Sequence, residues 1–149
     1  MTGTVRPATE RDLDRLVPMF DAYRVFYGKS SDPQLARRFL AERLSQNDSI
    51  ILLAEDAHGD AMGFVQMYPS FSSVRAARIY VLNDLFVVPA ARARGVGTAL
   101  MQAAADAARA AGAVRLKLST AVSNVTAQRL YEARGWKRDE GFYEYGLSL

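Results

Sequence analysis

One stretch constrains this 149-residue chain more than any other: LNDLFVVPAARARGVGTALM, from Leu82 to Met101. A β-branched and aromatic run suited to a strand stops at Pro89, and an alanine-rich run suited to a helix begins near Thr98. A strand that hands its chain directly to a helix builds an α/β layer, and the joint between them sits at the strand's end. Here the joint holds Arg92, Arg94, Gly95, Val96 and Gly97. The two glycines let backbone N–H groups converge with no Cβ in the way. At a helix start those groups lack intrahelical partners, and the positive end of the helix dipole faces outward. With two arginines beside it, the joint reads as an anion site whose natural occupant is a pyrophosphate.

Two common phosphate loops do not fit. A Walker A loop needs a lysine after its last glycine, and GVGTAL has none. A dinucleotide fingerprint needs its first glycine directly after the strand, a third glycine, and an acidic residue about 20 positions on. Here PAARAR intervenes, Leu100 holds the third position, and Lys117 stands where the acid belongs.

The remaining pattern supplies the rest of a mixed sheet. Thr4 to Pro7 reads as a short strand, and Leu13, Leu16, Val17, Phe20 and Tyr23 give helical spacing from Glu10 to Tyr27. Thr9 is placed to cap that helix, and Pro18 should kink or divide it. Asp32 and Pro33 open a second helix that runs to about Gln46. SIILLAED and AMGFVQMYPSFSS flank the turn AHGD as a hairpin, and a longer strand covers Arg78 to Val88. A helix from Thr98 to Ala111, a strand VRLKLST, a helix from Asn124 to Arg134 and a last strand GFYEYGLSL complete the order β-α-α-β-β-β-α-β-α-β. The expected fold class is α/β (α+β), with an antiparallel N-terminal part, one crossover helix and a single domain over 1–149.

Composition narrows the function. The formal charge of +3 suits an anionic ligand and is too small to argue for nucleic acid. No apolar run approaches the roughly 18–20 residues that span a bilayer, so no membrane is expected. The charged start MTGTVRPATERDLD lacks the apolar core of a signal peptide, and a cytoplasmic location is expected. With no cysteine, the chain has no disulfide, no thiolate metal site and no Cys nucleophile. No metal is expected.

The segment Arg92-Ala93-Arg94-Gly95-Val96-Gly97, after DLFVVP and before a helix, resembles the acyl-CoA loop of the GNAT acetyltransferase superfamily. SNVTAQRLYEARGW is similar to that superfamily's later helix, and the element order matches over nearly the whole chain. The strand YVLNDLFV further resembles the histone and polyamine acetyltransferases. The resemblance implies an N-acetyltransferase that moves acetyl from acetyl-CoA to a primary amine, by direct attack in a ternary complex. It implies that the backbone of Phe86, Val87 and Val88 pairs with the pantetheine arm, and that N–H groups from Arg92 to Thr98 surround the pyrophosphate. Homodimers recur among the relatives, so a homodimer is expected.

From the residues alone, Tyr131 is a core aromatic beside Leu130 and Trp136; on the resemblance it is the general acid that protonates the leaving thiolate. Asn124 is a helix cap, or on the resemblance a group near the pantetheine or the leaving sulfur. Asp84 sits in an apolar strand, where a carboxylate is costly unless solvated, paired or neutralised. It could take the substrate's proton, hold the substrate ammonium, or serve as a structural carboxylate at a backbone bulge or an arginine. A water-lined cleft would account for Asn83 as well. Tyr23, Phe26 and Tyr27, with Tyr68 and the rest of YPSFSS, could wall a cationic amine or simply pack the core. His58 belongs to a turn. Glu140, Tyr143 and Glu144 could reach the cleft or pair as an edge strand with a second subunit. The acceptor is expected to be a small amine: a polyamine, an amino acid derivative or an amino-bearing antibiotic. A lysine on a protein is the alternative, and a CoA-binding sensor without turnover is a third.

Overall fold

The computed structural model describes residues 2–149, which divide into two compact units, one running to Leu118 and the other from Ser119 to Leu149. The first unit holds β1 (Thr4–Pro7), α1 (Leu13–Phe26), α2 (Pro33–Gln46), β2 (Ile50–Glu55), β3 (Ala61–Ser72), β4 (Ala77–Val87), α3 (Val96–Ala110) and β5 (Leu116–Lys117). The sheet runs β1-β2-β3-β4-β5, antiparallel throughout except for the parallel pair β4–β5, which α3 connects as a crossover.

Local chemistry sets most of these elements. The Asp32 carboxylate accepts from the Leu35 N–H at 3.1 Å, with Pro33 at the first position of α2. The Asp56 carboxylate accepts from the N–H groups of His58 and Asp60 and shapes the β2–β3 turn. α3 buries Val96, Leu100, Met101, Ala104 and Ala108, a stripe at helical spacing. β3 is covered on both faces. Phe64 joins Leu16, Phe20, Leu40 and Leu53 in the core formed with α1 and α2. A Cβ added to Gly63 would point at the Leu100 side chain of α3.

An ion-pair cluster fastens β1, α1 and β2. Arg6 pairs with Asp12 at 2.8 Å and with Glu55; Arg15 reaches Asp12 at 2.6 Å and Glu55 at 2.7 Å. Asp12 is 3% exposed, and its hydrogen bond from Arg6 holds its carboxyl well below the usual range, against the opposing effect of burial.

Several expectations need correcting. Pro18 lies within α1 without dividing it: the ring faces solvent, while buried Leu16, Val17, Met19 and Phe20 on either side hold the helix to the core. The residues Glu10–Asp12 form a 3₁₀ turn before α1. α3 starts at Val96, earlier than Thr98, because Gly95 rather than Gly97 ends the joint. The expected strand VRLKLST shrinks to Leu116–Lys117, since β4 offers it partners only at Tyr80 and Val81.

The second unit consists of α4 (Val125–Ala133) and irregular chain. Asn124 caps α4 by accepting from the Ala127 N–H at 3.3 Å. The helix ends where the Tyr131 carbonyl accepts from the N–H groups of Arg134 and Trp136. The expected last strand GFYEYGLSL is not formed. Its apolar alternation is real, but a strand gains stability only from a paired neighbour, and Phe142, Tyr143, Tyr145 and Leu147 are all at least 85% exposed.

Candidate active site

In the antiparallel register, Met67 stands opposite Leu82 and Gln66 opposite Asp84, so Asn83 has no partner on β3. Asn83 is the extra residue of a β-bulge. Its carbonyl accepts from the Tyr23 hydroxyl at 2.8 Å. The next residue, Asp84, is 1% exposed, and both of its oxygens are held by amides: Oδ2 accepts from Gln66 Nε2 at 2.6 Å and Oδ1 from Asn83 Nδ2 at 2.8 Å. Gln66 is oriented in turn, because its Oε1 accepts from the Ser49 hydroxyl at 2.8 Å. Burial pushes the Asp84 carboxyl up from its ordinary value, and the two amide bonds oppose that shift without cancelling it. A carboxyl so placed is a stronger base than a solvated one.

Beside the bulge lies a cavity of about 280 Å³, lined by Phe20, Tyr23, Arg24, Leu35, Phe39 and Tyr68 together with Asn83 and Asp84. The structure thus brings Tyr23, Tyr68, Asn83 and Asp84 to one cavity. Burial, then the nearby Asp84, pushes the Tyr68 phenol up, so it stays a proton donor. Tyr27 packs on Tyr23 at 4.9 Å between ring centroids but does not line the cavity, and it is 50% exposed. His58 sits in its exposed turn.

The outer edge of β4 pairs with β5 at Tyr80 and Val81 only. Val88 donates its N–H to the Met62 carbonyl and accepts from the Ala91 N–H, so its N–H faces β3. By the alternation of a strand, the groups of Val87 and Leu85 then face the open edge and those of Phe86 face β3. Arg92 donates from Nε to the Val87 carbonyl at 3.0 Å on that edge, its guanidinium 5.8 Å from the Phe86 ring centre. The joint that follows curves sharply. Ala93 is held at φ +60° and Gly95 at φ +80°, both left-handed, which costs a residue with a Cβ about 1–2 kcal/mol and favours glycine at the second. Left-handed Gly95 leads directly into Val96, the first residue of α3, a left-to-right-handed step of the kind that makes an anion-binding concavity, and no side chain caps α3 at Gly95. Val96 is buried, while Arg92 and Arg94 are exposed.

Residue patterns alone missed Gln66, Ser49, Leu85 and Arg24. The one polar residue inside AMGFVQMY was the signal for Gln66; the register running from Ser72–Ala77 to Met67–Leu82 would set it opposite Asn83, and the bulge moves it to Asp84. In the second unit, Tyr131 packs against Trp136 at 6.2 Å between ring centres, and Glu140, Tyr143 and Glu144 are exposed. Among the described residues, no group of three or more His, Asp or Glu side chains is placed to hold a metal, and no helix is long and apolar enough to cross a membrane.

Comparison with known proteins agrees with this geometry. Residues 16–136 match the Acetyltransferase (GNAT) family. The chain is 47% identical over 145 residues to the uncharacterized N-acetyltransferase YhfO of Bacillus subtilis, covering 97% of each chain. It is 31% identical to a probable acetyltransferase of Haemophilus influenzae, covering 95% of this chain and 96% of that one. The crystal structure of a probable acetyltransferase superposes with a TM-score of 0.92 at 42% identity, over 98% of this chain and 97% of the other. The chain therefore belongs to the GNAT family of acetyltransferases.

Proposed function

We propose that this protein transfers acetyl from acetyl-CoA to the primary amine of a small molecule, by direct attack in a ternary complex. The observation that carries the reading is the continuity of β4. Its open edge at Leu85 and Val87 suits an amide-bearing pantetheine arm, and it leads without interruption to the joint at Arg92–Gly97, which suits a pyrophosphate. The donor set therefore fits acetyl-CoA. Arg92, Arg94 and the N–H groups of Gly95, Val96 and Gly97 would hold its phosphates, with Thr98 at the edge of that set.

The amine nitrogen attacks the thioester carbonyl, and the carbon–sulfur bond breaks to release CoA thiolate. The ammonium must first lose a proton. Asp84, with its raised carboxyl at the cavity by the bulge, takes it directly or through one water. Tyr131 returns a proton to the thiolate, and Asn124 binds toward the pantetheine; for these two the support is the likeness of α4 to the family's later helix. No cysteine is present to form an acetyl-enzyme.

A cavity of about 280 Å³ lies just below the roughly 300–1,000 Å³ of small-molecule sites, which favours a small acceptor over a protein lysine. Two more distant relatives are named for small amines: an aminoglycoside N(6')-acetyltransferase of Klebsiella aerogenes, 29% identical over 100 residues, and an aminoalkylphosphonate N-acetyltransferase of Salmonella typhimurium, 31% identical over 81 residues. The reading includes a cytoplasmic homodimer, for which exposed Phe142, Tyr143 and Tyr145 offer apolar surface.

The test is acetyl-CoA-dependent thiol release against polyamines, aminoglycosides, amino acids, aminoalkylphosphonates and lysine peptides, with acetyl-CoA binding followed by calorimetry. Saturable release with a small amine is expected. Binding without release from any amine would replace the enzyme by a sensor.

A further inference from the structure

The cavity beside Asp84 is lined by an arginine to which no carboxylate is bonded among the described residues. Arg24 lines it, and among the described residues its guanidinium has no hydrogen-bond or ion-pair partner. Other arginines of the first unit are spent on the fold: Arg6, Arg15, Arg37 and Arg43 are each paired with a carboxylate. The nearest acid on the same helix, Asp21, accepts from the Ser31 hydroxyl at 2.6 Å and the Asp32 N–H at 2.8 Å, and feels Arg24 only through space. Asp84, the one acid lining the cavity, has both oxygens taken by amides. Phe20, Leu35 and Phe39 contribute apolar wall, and the Tyr23 hydroxyl is committed to Asn83.

A ligand that fills such a cavity removes water from the Arg24 cation. Desolvating a charge without a partner is costly, so the occupant must bring the partner itself. A guanidinium donates two parallel N–H bonds to a carboxylate or a phosphonate, with a definite orientation. Polyamines and aminoglycosides would instead set like charge against it.

We propose that the acceptor is an amine that also carries an anionic group, carboxylate or phosphonate, bound by Arg24, with its apolar body against Phe20 and Phe39. This rests on the acetyl-transfer reading above and names its substrate class.

The experiment compares amines that differ only in the anion: phenylalanine with phenethylamine, and aminoethylphosphonate with ethylamine, beside spermidine, each by thiol release from acetyl-CoA. The expected result is a kcat/KM about tenfold or more higher for the anionic member of at least one pair, the range of a charged hydrogen bond. Arg24→Gln should collapse that ratio toward unity and Arg24→Lys should keep part of it, with acetyl-CoA affinity unmoved in both. Faster turnover of spermidine or of the uncharged-tail amines, or a ratio that survives Arg24→Gln, would overturn the proposal while leaving acetyl transfer standing. Acetyl-CoA binding with no thiol release from any amine of the panel would overturn both.

Discussion

Tyr23 donates its phenolic hydrogen, over 2.8 Å, to the backbone carbonyl of Asn83, the one residue of β4 with no opposite number on β3. α1 thus supplies the hydrogen bond that the bulge takes from the sheet, and it does so with a ring that also lines the cavity. Tyr23→Phe keeps the ring and loses the donor. It should lower stability by about 1 kcal/mol, the net worth of one hydrogen bond. It should also raise KM for the amine while leaving acetyl-CoA affinity unchanged. Urea unfolding and steady-state kinetics read the two effects separately, and an unaltered amine KM would make the bond purely structural.

Asp84 carries the pH dependence. A base works only when ionised, and a raised carboxyl value moves the acid limb of the rate profile above the ordinary range near pH ~4. Gln66 opposes that rise by donating to the charged form, so Gln66→Leu should move the limb to still higher pH. Asp84→Asn should abolish the limb and lower turnover by about 10²–10⁴-fold. Tyr68 lines the same cavity, and burial pushes its phenol up, away from this acid window. A folded Asp84→Asn protein with an unchanged profile would reduce Asp84 to scaffold.

Which parts of this were legible follows from distance along the chain. The caps Asp32 and Asn124 act within three residues, and each is where its residue type puts it. The arginine–glycine joint is equally local. The bulge is not, because nothing in LND says which residue is extra until β4 is laid against β3. Gln66 meets Asp84 across 18 positions, and Arg6 meets Glu55 across 49, so neither pairing has a local signal. GFYEYGLSL fails for the opposite reason. Its alternation satisfies the local rule for a strand, and only the absence of a paired neighbour among the described residues decides the outcome.

Tyr131→Phe is the test of the acid. The substitution keeps the ring that packs on Trp136 and removes the phenolic hydroxyl, with the proton it would donate. Turnover should fall by about 10²-fold or more, with acetyl-CoA affinity unchanged, and the loss should be smallest for thioesters with better leaving groups. Equal losses across thioesters would take the proton transfer away from this residue.

Asp12 gives a stability prediction with a definite sign. Its folded value is depressed, first by the hydrogen bond from Arg6, so its contribution is present above the unfolded value near pH ~4 and lost as pH falls further. Asp12→Asn should lower the unfolding free energy by about 2 kcal/mol at pH 7. That is less than the 3–5 kcal/mol of a fully buried pair, since Arg6 and Arg15 keep side-chain exposures of 38% and 34%. The gap to the native protein should narrow steadily below pH ~4 in urea titrations. A gap that widened in acid would remove the ion pair as its cause.

Gly63 links packing to acetyl-CoA. A Cβ there would stand 2.5 Å from the Phe86 carbonyl oxygen and 3.3 Å from the Val87 Cα, both backbone atoms of β4, with the Leu100 side chain at 3.2 Å on the α3 side. Backbone cannot swing aside as a side-chain tip can, so β4 must shift at the residues that face the open edge. Gly63→Ala should cost about 1–3 kcal/mol, as overpacking does, and weaken acetyl-CoA binding beyond what the lost stability explains. Gly146→Ala, with nothing within 4 Å of the added carbon, is the matched control and should change neither. Calorimetric titration of both proteins, well below their unfolding temperatures, separates the effects. An acetyl-CoA affinity equal to that of the native protein in a folded Gly63→Ala variant would detach the cofactor from the β4 edge.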